Sequence, residues 1–473
     1  MKNISIWKDS CFSIDSRKLD KDIECDVLII GGGLTGISTL YHLKDSELKV
    51  VLVEQNKLGM GVTANSTGKL TYLQDSMYNK IWKKYDKKIA AKYLESQVEA
   101  IDIAKDIINS NDIDCDLVES KSYVYTNKDD EIEDIKELKE FLLDNDISAQ
   151  DDDIDLVESK YMISVSDTYL FNPIKFIYGV VNKFEFSNIY EDTSIVKIEK
   201  SNEDYLCYTD SNKIICKYVV IASHYPYFVL PFMFPIKGNL EKSYLCSGRK
   251  DISNVSLISY SNPFVSIRNY KNYIIYLSKT HVNSNNVDDK KHFDELMRDA
   301  CSLDVNFEYV WSNIDIMTND SLPYIGRIDD NMFISTGYNT WGMTNGILGG
   351  YIVSNMVMGI EDKYSDLFDP KREISGNILE VLKDAYYSME GIVNGTINKN
   401  YDIEYKTIDG DDVCIYRDSD GEHIVYRKCP HMGCKLIFNE VERTWDCPCH
   451  GSRFGIDGKC ISGPSNKDIG YKK

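Results

Sequence analysis

The hydrophobic rhythm of the chain changes several times, and each change predicts a different element. Residues 25–54 read CDVLIIGGGLTGISTLYHLKDSELKVVLVE. A short apolar run, Val27 to Ile30, ends in glycines. Helical spacing follows at Leu34, Ile37, Leu40 and Tyr41, and a second apolar run, Val50 to Val53, closes on Glu54. Continuous apolar runs bounded by turn residues suit buried strands, and the intervening spacing suits a helix, so the stretch predicts a β-α-β unit. Helical spacing returns at 86–109 and 131–144. Residues 236–316 alternate apolar and polar positions, as expected of an antiparallel sheet with one buried face. The apolar stretch 218–236 is broken by His224, Pro226, Pro231 and Pro235, which predicts a buried strand and a loop rather than a membrane span. Beyond it come a strand at Met332–Thr336, a glycine-rich loop and a helix beginning near Met343. A helical segment at 377–389 is followed by polar NGTINKN, which places a boundary near 395–402. Short strands, DVCIYR and HIVYR, lead to the C-terminal region.

Length and charge narrow the function. At 473 residues the chain predicts two or three domains. A formal charge of -21 argues against nucleic acid or anionic lipid as a non-specific partner, because both need a basic surface. The first 25 residues hold no apolar core followed by a small-residue cleavage site, so a cytoplasmic location without a transmembrane segment is expected. Outside one dense cluster the cysteines are scattered, and read as reduced thiols.

Gly31, Gly33 and Gly36 fill G-x-G-x-x-G between the strand and the helix. The first makes the tight turn, the second admits a pyrophosphate to the backbone, and the third packs helix on strand. The unpaired N–H groups at the helix N-terminus then face the phosphates, and Glu54 stands where an acid would meet ribose hydroxyls. This predicts a bound dinucleotide. After Glu54 comes QNKLGMGVTANSTGKLTY in place of another regular unit, and here the sequence resembles the FAD-dependent amine and amino-acid oxidoreductases, the family of glycine oxidase and D-amino-acid dehydrogenase. The resemblance spans about 24–360. It implies an α/β FAD-binding Rossmann-type fold with an antiparallel β substrate domain, FAD as cofactor, and Gly61, Thr63 and Gly68 alongside the flavin. It also implies Val196 against the adenine. In 320–359 it implies a helix N-terminus at the flavin, lined by Gly337, Gly342, Met343 and Thr344. A glycine-rich helix cap is the plainer reading of that loop. Ser223 and His224 replace the usual turn after the strand at 218–223, so the contact there is open.

No second G-x-G-x-x-G follows a strand, so a small organic reductant is expected rather than a nicotinamide. Substrate-contact candidates are Lys69, Tyr338 and Trp341, which fall inside flavin-proximal motifs, and Arg268, whose guanidinium could clamp a carboxylate. An exposed sheet arginine is the commoner situation, and His281 reads as a surface or packing residue. No catalytic side-chain base is assigned, since in such enzymes the cofactor carries the chemistry.

Residues 429–454, CPHMGCKLIFNEVERTWDCPCHGSRF, hold four of the thirteen cysteines and two of the seven histidines. Cys429 with His431, and Cys447 with His450, give two short arms of one thiolate and one imidazole each. Zinc fingers usually pair like with like on each knuckle, whereas this set suits a [2Fe-2S] cluster with the cysteines on one iron and the histidines on the other; a structural zinc module is the alternative. The segment resembles the Rieske fold over about 402–470. That resemblance implies a small all-β domain, a disulfide between Cys434 and Cys449 as in quinol-oxidising members, a cluster-bonding serine at Ser452, and a proline loop at 462–464. Phe454 stands where many high-potential members have tyrosine, which predicts a lower potential.

The expected organisation is therefore a flavin-dependent oxidoreductase over 1–375, a helix and linker over 376–401, and a Rieske domain over 402–473. A small amine or amino acid would reduce FAD, and electrons would pass singly to the cluster and on to an acceptor protein or quinone. The alternative is a redox-sensing or electron-distributing protein without such a substrate.

Overall fold

The computed structural model describes residues 1–9, 14, 16–225, 238–283, 287–373 and 403–471. The helix expected at 377–389, the boundary near 395–402 and the loop that follows the 218–225 segment lie outside them.

The apolar runs near the N-terminus become the centre of a parallel sheet. Strand Ile23–Ile30 pairs in parallel with Val50–Val53 on one side and Lys213–Ile221 on the other. Met332–Thr336 extends it in parallel, and Tyr324–Asp329 closes that edge antiparallel. Both faces are covered, which explains why these strands are apolar throughout. Val27 and Ile29 face one core with Ile37, Leu40 and Ile347, while Leu28 and Ile30 face a second with Val51, Val219 and Ile221. Helices Leu34–His42 and Gly342–Val357 pack together on the first face, where the Ser38 hydroxyl donates to the Ile347 carbonyl at 2.7 Å.

The second half is a nine-stranded sheet. Its long strands Gly238–Arg249, Tyr273–Val282 and Phe307–Thr318 pair antiparallel, as the alternation predicts. The expectation of one buried face needs correction, because both faces are buried. Leu245, Ile275 and Trp311 point into one core; Tyr244, Cys246, Ile274 and Val310 point into another. A helix inside the alternating region, Asp289–Ala300, covers the second face through Phe293, Leu296 and Ala300. Its start is marked by Asp288, whose side chain accepts from the Lys291 N–H at 3.0 Å, an N-cap that the sheet-like pattern on either side obscures.

The C-terminal domain is all β. A sheet of Ile403–Ile408, Asp411–Asp418 and Gly421–Tyr426 is followed by a four-stranded sheet, Ile437–Asn439, Thr444–Asp446, Arg453–Gly455 and Cys460–Ser462. Val425, Leu436, Trp445 and Phe454 form its core. Among the described residues no helix is long and apolar enough to cross a membrane.

Candidate functional site

A cleft opens at the C-terminal ends of the parallel strands. Gly31 and Gly33 line its floor, with Glu54, Thr63 and Met343 around it. Gly31 adopts a φ of +112°, and a Cβ there would sit 2.8 Å from the Ala222 carbonyl oxygen. At Gly36 a Cβ would collide with the Gly31 carbonyl, so this position holds helix against strand without itself lining the cleft. The helix Leu34–His42 has Gly33 as its N-cap with no side-chain cap bond, and although the Leu34 N–H donates to the Thr63 hydroxyl at 3.4 Å, the positive end of the helix faces the cleft, where it suits an anionic ligand. Glu54 accepts from the Gly32 and Asn56 N–H groups, each at 2.8 Å. Burial raises its carboxyl above the ordinary range, and those two N–H groups oppose the rise.

A second cavity adjoins the first. Val62, Asn65, Asn313, Asp315, Gly342 and Met343 line both. The helix Gly342–Val357 therefore starts at the junction, again without a side-chain cap, and presents its positive end there. Burial, helped by the Glu241 carboxylate, raises the Asp315 carboxyl to about 7.

At the tip of the C-terminal domain two loops are built alike. The Gly433 N–H donates to the Cys429 carbonyl at 2.9 Å, and the Gly451 N–H donates to the Cys447 carbonyl at 3.1 Å. Both glycines take a left-handed conformation that closes the turn, with φ of +77° and +71°. The loops are joined by a Cys434–Cys449 disulfide. The rings of His431 and His450 lie 4.9 Å apart at 87°. Burial lowers both imidazoles to about 4, so they are neutral at pH 7, as metal ligation requires. The Cys429 thiol is lowered to about 7, first by hydrogen bonding from Cys447, with Ser452 adding a further hydrogen bond. His450 Nδ1 is buried without a hydrogen-bond partner among the described residues. Two imidazoles, two adjoining thiols and a serine donor fit a [2Fe-2S] cluster held by Cys429, Cys447, His431 and His450. Phe454 is fully buried and brings no donor.

This tip is docked onto the rest of the chain. His450, Gly451, Arg453 and Gly463 line the same cleft as Gly31 and Glu54. Tyr225 also lines it, and its ring lies 5.7 Å from that of His450 and 6.4 Å from that of His431. The seam is polar and buried. Lys242, 1% exposed, contacts Asp446 at 2.9 Å across it and Asp289 at 2.7 Å on its own side. The Ser312 N–H donates to Glu442 at 3.0 Å, and Asn56 donates to the Ile461 carbonyl at 3.0 Å.

Comparison with known proteins agrees with this geometry. Residues 26–356 match the model of the FAD dependent oxidoreductase family, and residues 396–471 match that of the Rieske [2Fe-2S] domain. The chain belongs to the FAD dependent oxidoreductase family and carries a C-terminal Rieske domain. The first domain binds FAD and the second a [2Fe-2S] cluster. Over nearly its whole length the chain is similar to YhfW of Bacillus subtilis (strain 168), which carries the name Rieske 2Fe-2S iron-sulfur protein. The two are 28% identical over 496 residues, covering 98% of this chain and 96% of the other. Gamma-glutamylputrescine oxidoreductase of Escherichia coli (strain K12) is 22% identical over 73% of this chain and 86% of its own. In fold, glycine oxidase from Geobacillus kaustophilus superposes with a TM-score of 0.62 at 16% identity, over 74% of this chain and 99% of that one.

The first cleft takes in most of the residues singled out from sequence for FAD. Gly31, Gly33, Glu54, Gly61, Thr63, Gly342 and Met343 line it. Gly68, Gly337 and Thr344 lie outside both cavities: Gly68 and Gly337 occupy positive-φ turns, and the Thr344 hydroxyl donates to Gln97 at 2.7 Å. Ile195 rather than Val196 reaches the cleft, since the Val196 N–H is committed to the Tyr208 carbonyl at 2.7 Å. Among the substrate-contact candidates, Trp341 and Lys69 line the second cavity, and Tyr338 lines the first, bonded to Thr35 and Ser335 at 2.7 Å each. Arg268 lines neither. Its guanidinium is buried, 1% exposed, and is spent on the carbonyls of Thr67, Gly68 and Phe171. Arg268 is therefore neither the exposed sheet arginine of the commoner reading nor the carboxylate clamp offered as the candidate, but a buried structural tie. Sequence reasoning missed Asn313, Asp315 and Tyr225. The first two sit on an alternating strand whose pattern marks a buried face but not which end of it meets a cavity.

Proposed function

We propose that the protein oxidises a small amine or amino acid at FAD and passes the electrons one at a time to the Rieske cluster, and from there to a separate one-electron acceptor. When bound, FAD accepts a hydride from the carbon beside nitrogen and the [2Fe-2S] cluster accepts single electrons. The organic product is the imine, formed as the amine loses that hydride and a proton; two one-electron transfers to the acceptor restore the starting state.

The observation that carries this reading is that His450 lines the cleft built by Gly31, Glu54 and Met343. A cluster meant to exchange electrons only with an outside partner would gain nothing from a ligand facing that cleft. The chain's own residues do the positioning. Gly31, Gly33 and the uncapped helix after them would hold the pyrophosphate, and Glu54 the ribose. Lys242 and Glu442 hold the Rieske tip against the cleft. Tyr225 lines the cleft and packs edge-on against the His450 imidazole, 5.7 Å between ring centres. Similarity to gamma-glutamylputrescine oxidoreductase supports an amine substrate.

The test is anaerobic addition of amines and amino acids to the holoprotein, followed by visible absorption for FAD and electron paramagnetic resonance for the cluster. FAD should bleach first and the reduced Rieske signal should follow. Full bleaching with the cluster still oxidised would refute the relay.

A further inference from the structure

We infer that the second cavity recognises its ligand as a small organic cation, an amine without a carboxylate beside the reacting nitrogen, through Glu241 and Asp315. The inference deepens the proposed function by naming the substrate class, and it rests on that reading only for the cavity's being the substrate chamber.

Glu241 and Asp315 are directly opposed in the antiparallel pair of strands Gly238–Arg249 and Phe307–Thr318. Both line the second cavity, and Asp315 lines the junction with the FAD cleft as well. Among the described residues neither carboxylate has an ion-pair partner within 4.0 Å. Two like charges facing each other cost energy unless a cation joins them.

The cations in the cavity wall are already engaged. Lys69 donates to the Leu257 carbonyl at 2.8 Å and to Ser266 at 2.6 Å, and burial with nearby Arg268 holds its amine well below the ordinary range. Lys80 lies 3.8 Å from Asp75 at the rim and its charge also reaches Glu241, whereas among the described residues no cation offsets Asp315. Among the described residues no arginine lines the cavity, because Arg268 is tied to backbone carbonyls elsewhere. A bidentate clamp for a substrate carboxylate is therefore missing from this wall.

Two further side chains point independently to a ligand. Asn313 is 6% exposed and, among the described residues, its Oδ1, an acceptor, has no hydrogen-bond partner, although its Nδ2 donates to Asp315 at 2.9 Å. Trp341 is 8% exposed and its Nε1–H, a donor, is likewise unpartnered among the described residues. Both line the cavity. Buried polar atoms left without partners are costly, and a ligand ammonium would satisfy the asparagine oxygen.

The test is calorimetric titration of the oxidised holoprotein at pH 8 under argon with butylamine, diaminobutane, norvaline and glycine, read together with the shift in the visible spectrum of bound FAD. The two amines should bind about tenfold or more tightly than the two zwitterions. Asp315→Asn and Glu241→Gln should each erase that preference while FAD content and the Rieske spectrum stay unchanged. Zwitterions binding as tightly as the amines, or no binding by either class, would overturn the inference, and the wild-type comparison decides this even where a variant fails to fold. Amines that bind selectively without bleaching FAD would uphold it and remove the proposed reaction; zwitterions that bind and bleach FAD would do the reverse.

Discussion

Lys242 is the side chain on which docking of the Rieske domain depends most, and Lys242→Met should release it. The ammonium is buried between Asp446 of the Rieske domain, at 2.9 Å, and Asp289, at 2.7 Å. Burial opposes its charge, but the two carboxylates more than offset this and hold it above its ordinary value. Removing one partner of a buried ion pair typically costs about 3–5 kcal/mol, because the charge left behind stays buried. Here the survivors keep other bonds: Asp446 has Arg453 at 3.2 Å and Thr444 at 2.8 Å, and Asp289 has the Tyr244 hydroxyl at 2.6 Å. The lower end, about 3 kcal/mol, is therefore expected, or roughly a hundredfold in the docking equilibrium. Hydrogen exchange at Ser312 reports docking directly, since its N–H donates to Glu442 across the seam. The variant should exchange about a hundredfold faster there, with scattering at small angles showing a larger radius, while FAD stays bound. A double-mutant cycle with Asp446→Asn should give a coupling of about 1–3 kcal/mol. The pH window follows from the same shifts. Asp446 is held below its ordinary value, so its contribution is present above 3.8 and lost on acidification. Lys242 is held above its ordinary value, so its contribution is full below 10.5 and lost in strong alkali. Unchanged Ser312 exchange in Lys242→Met would refute the reasoning.

Other perturbations have equally definite outcomes. Gly36→Ala forces the helix Leu34–His42 off its strand, because the new methyl meets the Gly31 carbonyl; about 1–3 kcal/mol of stability should be lost, and purified protein should retain much less FAD, read from the visible spectrum. Asp315 has a carboxyl raised to about 7, so its charge disfavours the fold: without ligand, stability should fall between about pH 4 and pH 7 and level off above. Asp315→Asn should flatten that slope in thermal melts and gain stability at pH 8 but not at pH 4. Cys434→Ser opens a bridge closing a 15-residue separation, worth about 3 kcal/mol in chain entropy, and should speed thermal loss of the Rieske absorption without changing FAD content.

What the sequence reveals and what it hides divide along one physical line. Glycines 31, 33 and 36, Glu54, and the two Cys/His arms are legible because each draws its meaning from neighbours a few residues away: a turn, a helix start, a loop closed by Gly433 or Gly451. The continuous apolar runs likewise announce strands buried on both faces. Arg268 was misread for the opposite reason. Apart from the neighbouring Asn269 carbonyl, its partners Thr67, Gly68 and Phe171 lie about a hundred or two hundred residues away, so the residue types beside it in the chain do not show that its charge is already spent. Helix Asp289–Ala300 was lost among alternating strands although Asp288 caps it.

The same distinction explains why two familiar domains reveal less than their arrangement. Glu241 and Asp315 become a pair only through strand register, and Lys242 meets Asp446 only when one domain sits on the other. Each of these residues alone is an ordinary sheet position in its own segment. Brought together, the first pair gives the cavity a preference for positive charge, and the second pair fixes His450 over the cleft where Gly31 and Glu54 stand. On the proposed reading, specificity and electron exit would be set by contacts between strands and domains, not by the motifs that bind the cofactors. Exchanging the Rieske domain for a relative's that lacks an acid at position 446 should leave both cofactors bound and yet lose the Ser312–Glu442 protection, because docking chemistry and cofactor chemistry reside in different residues.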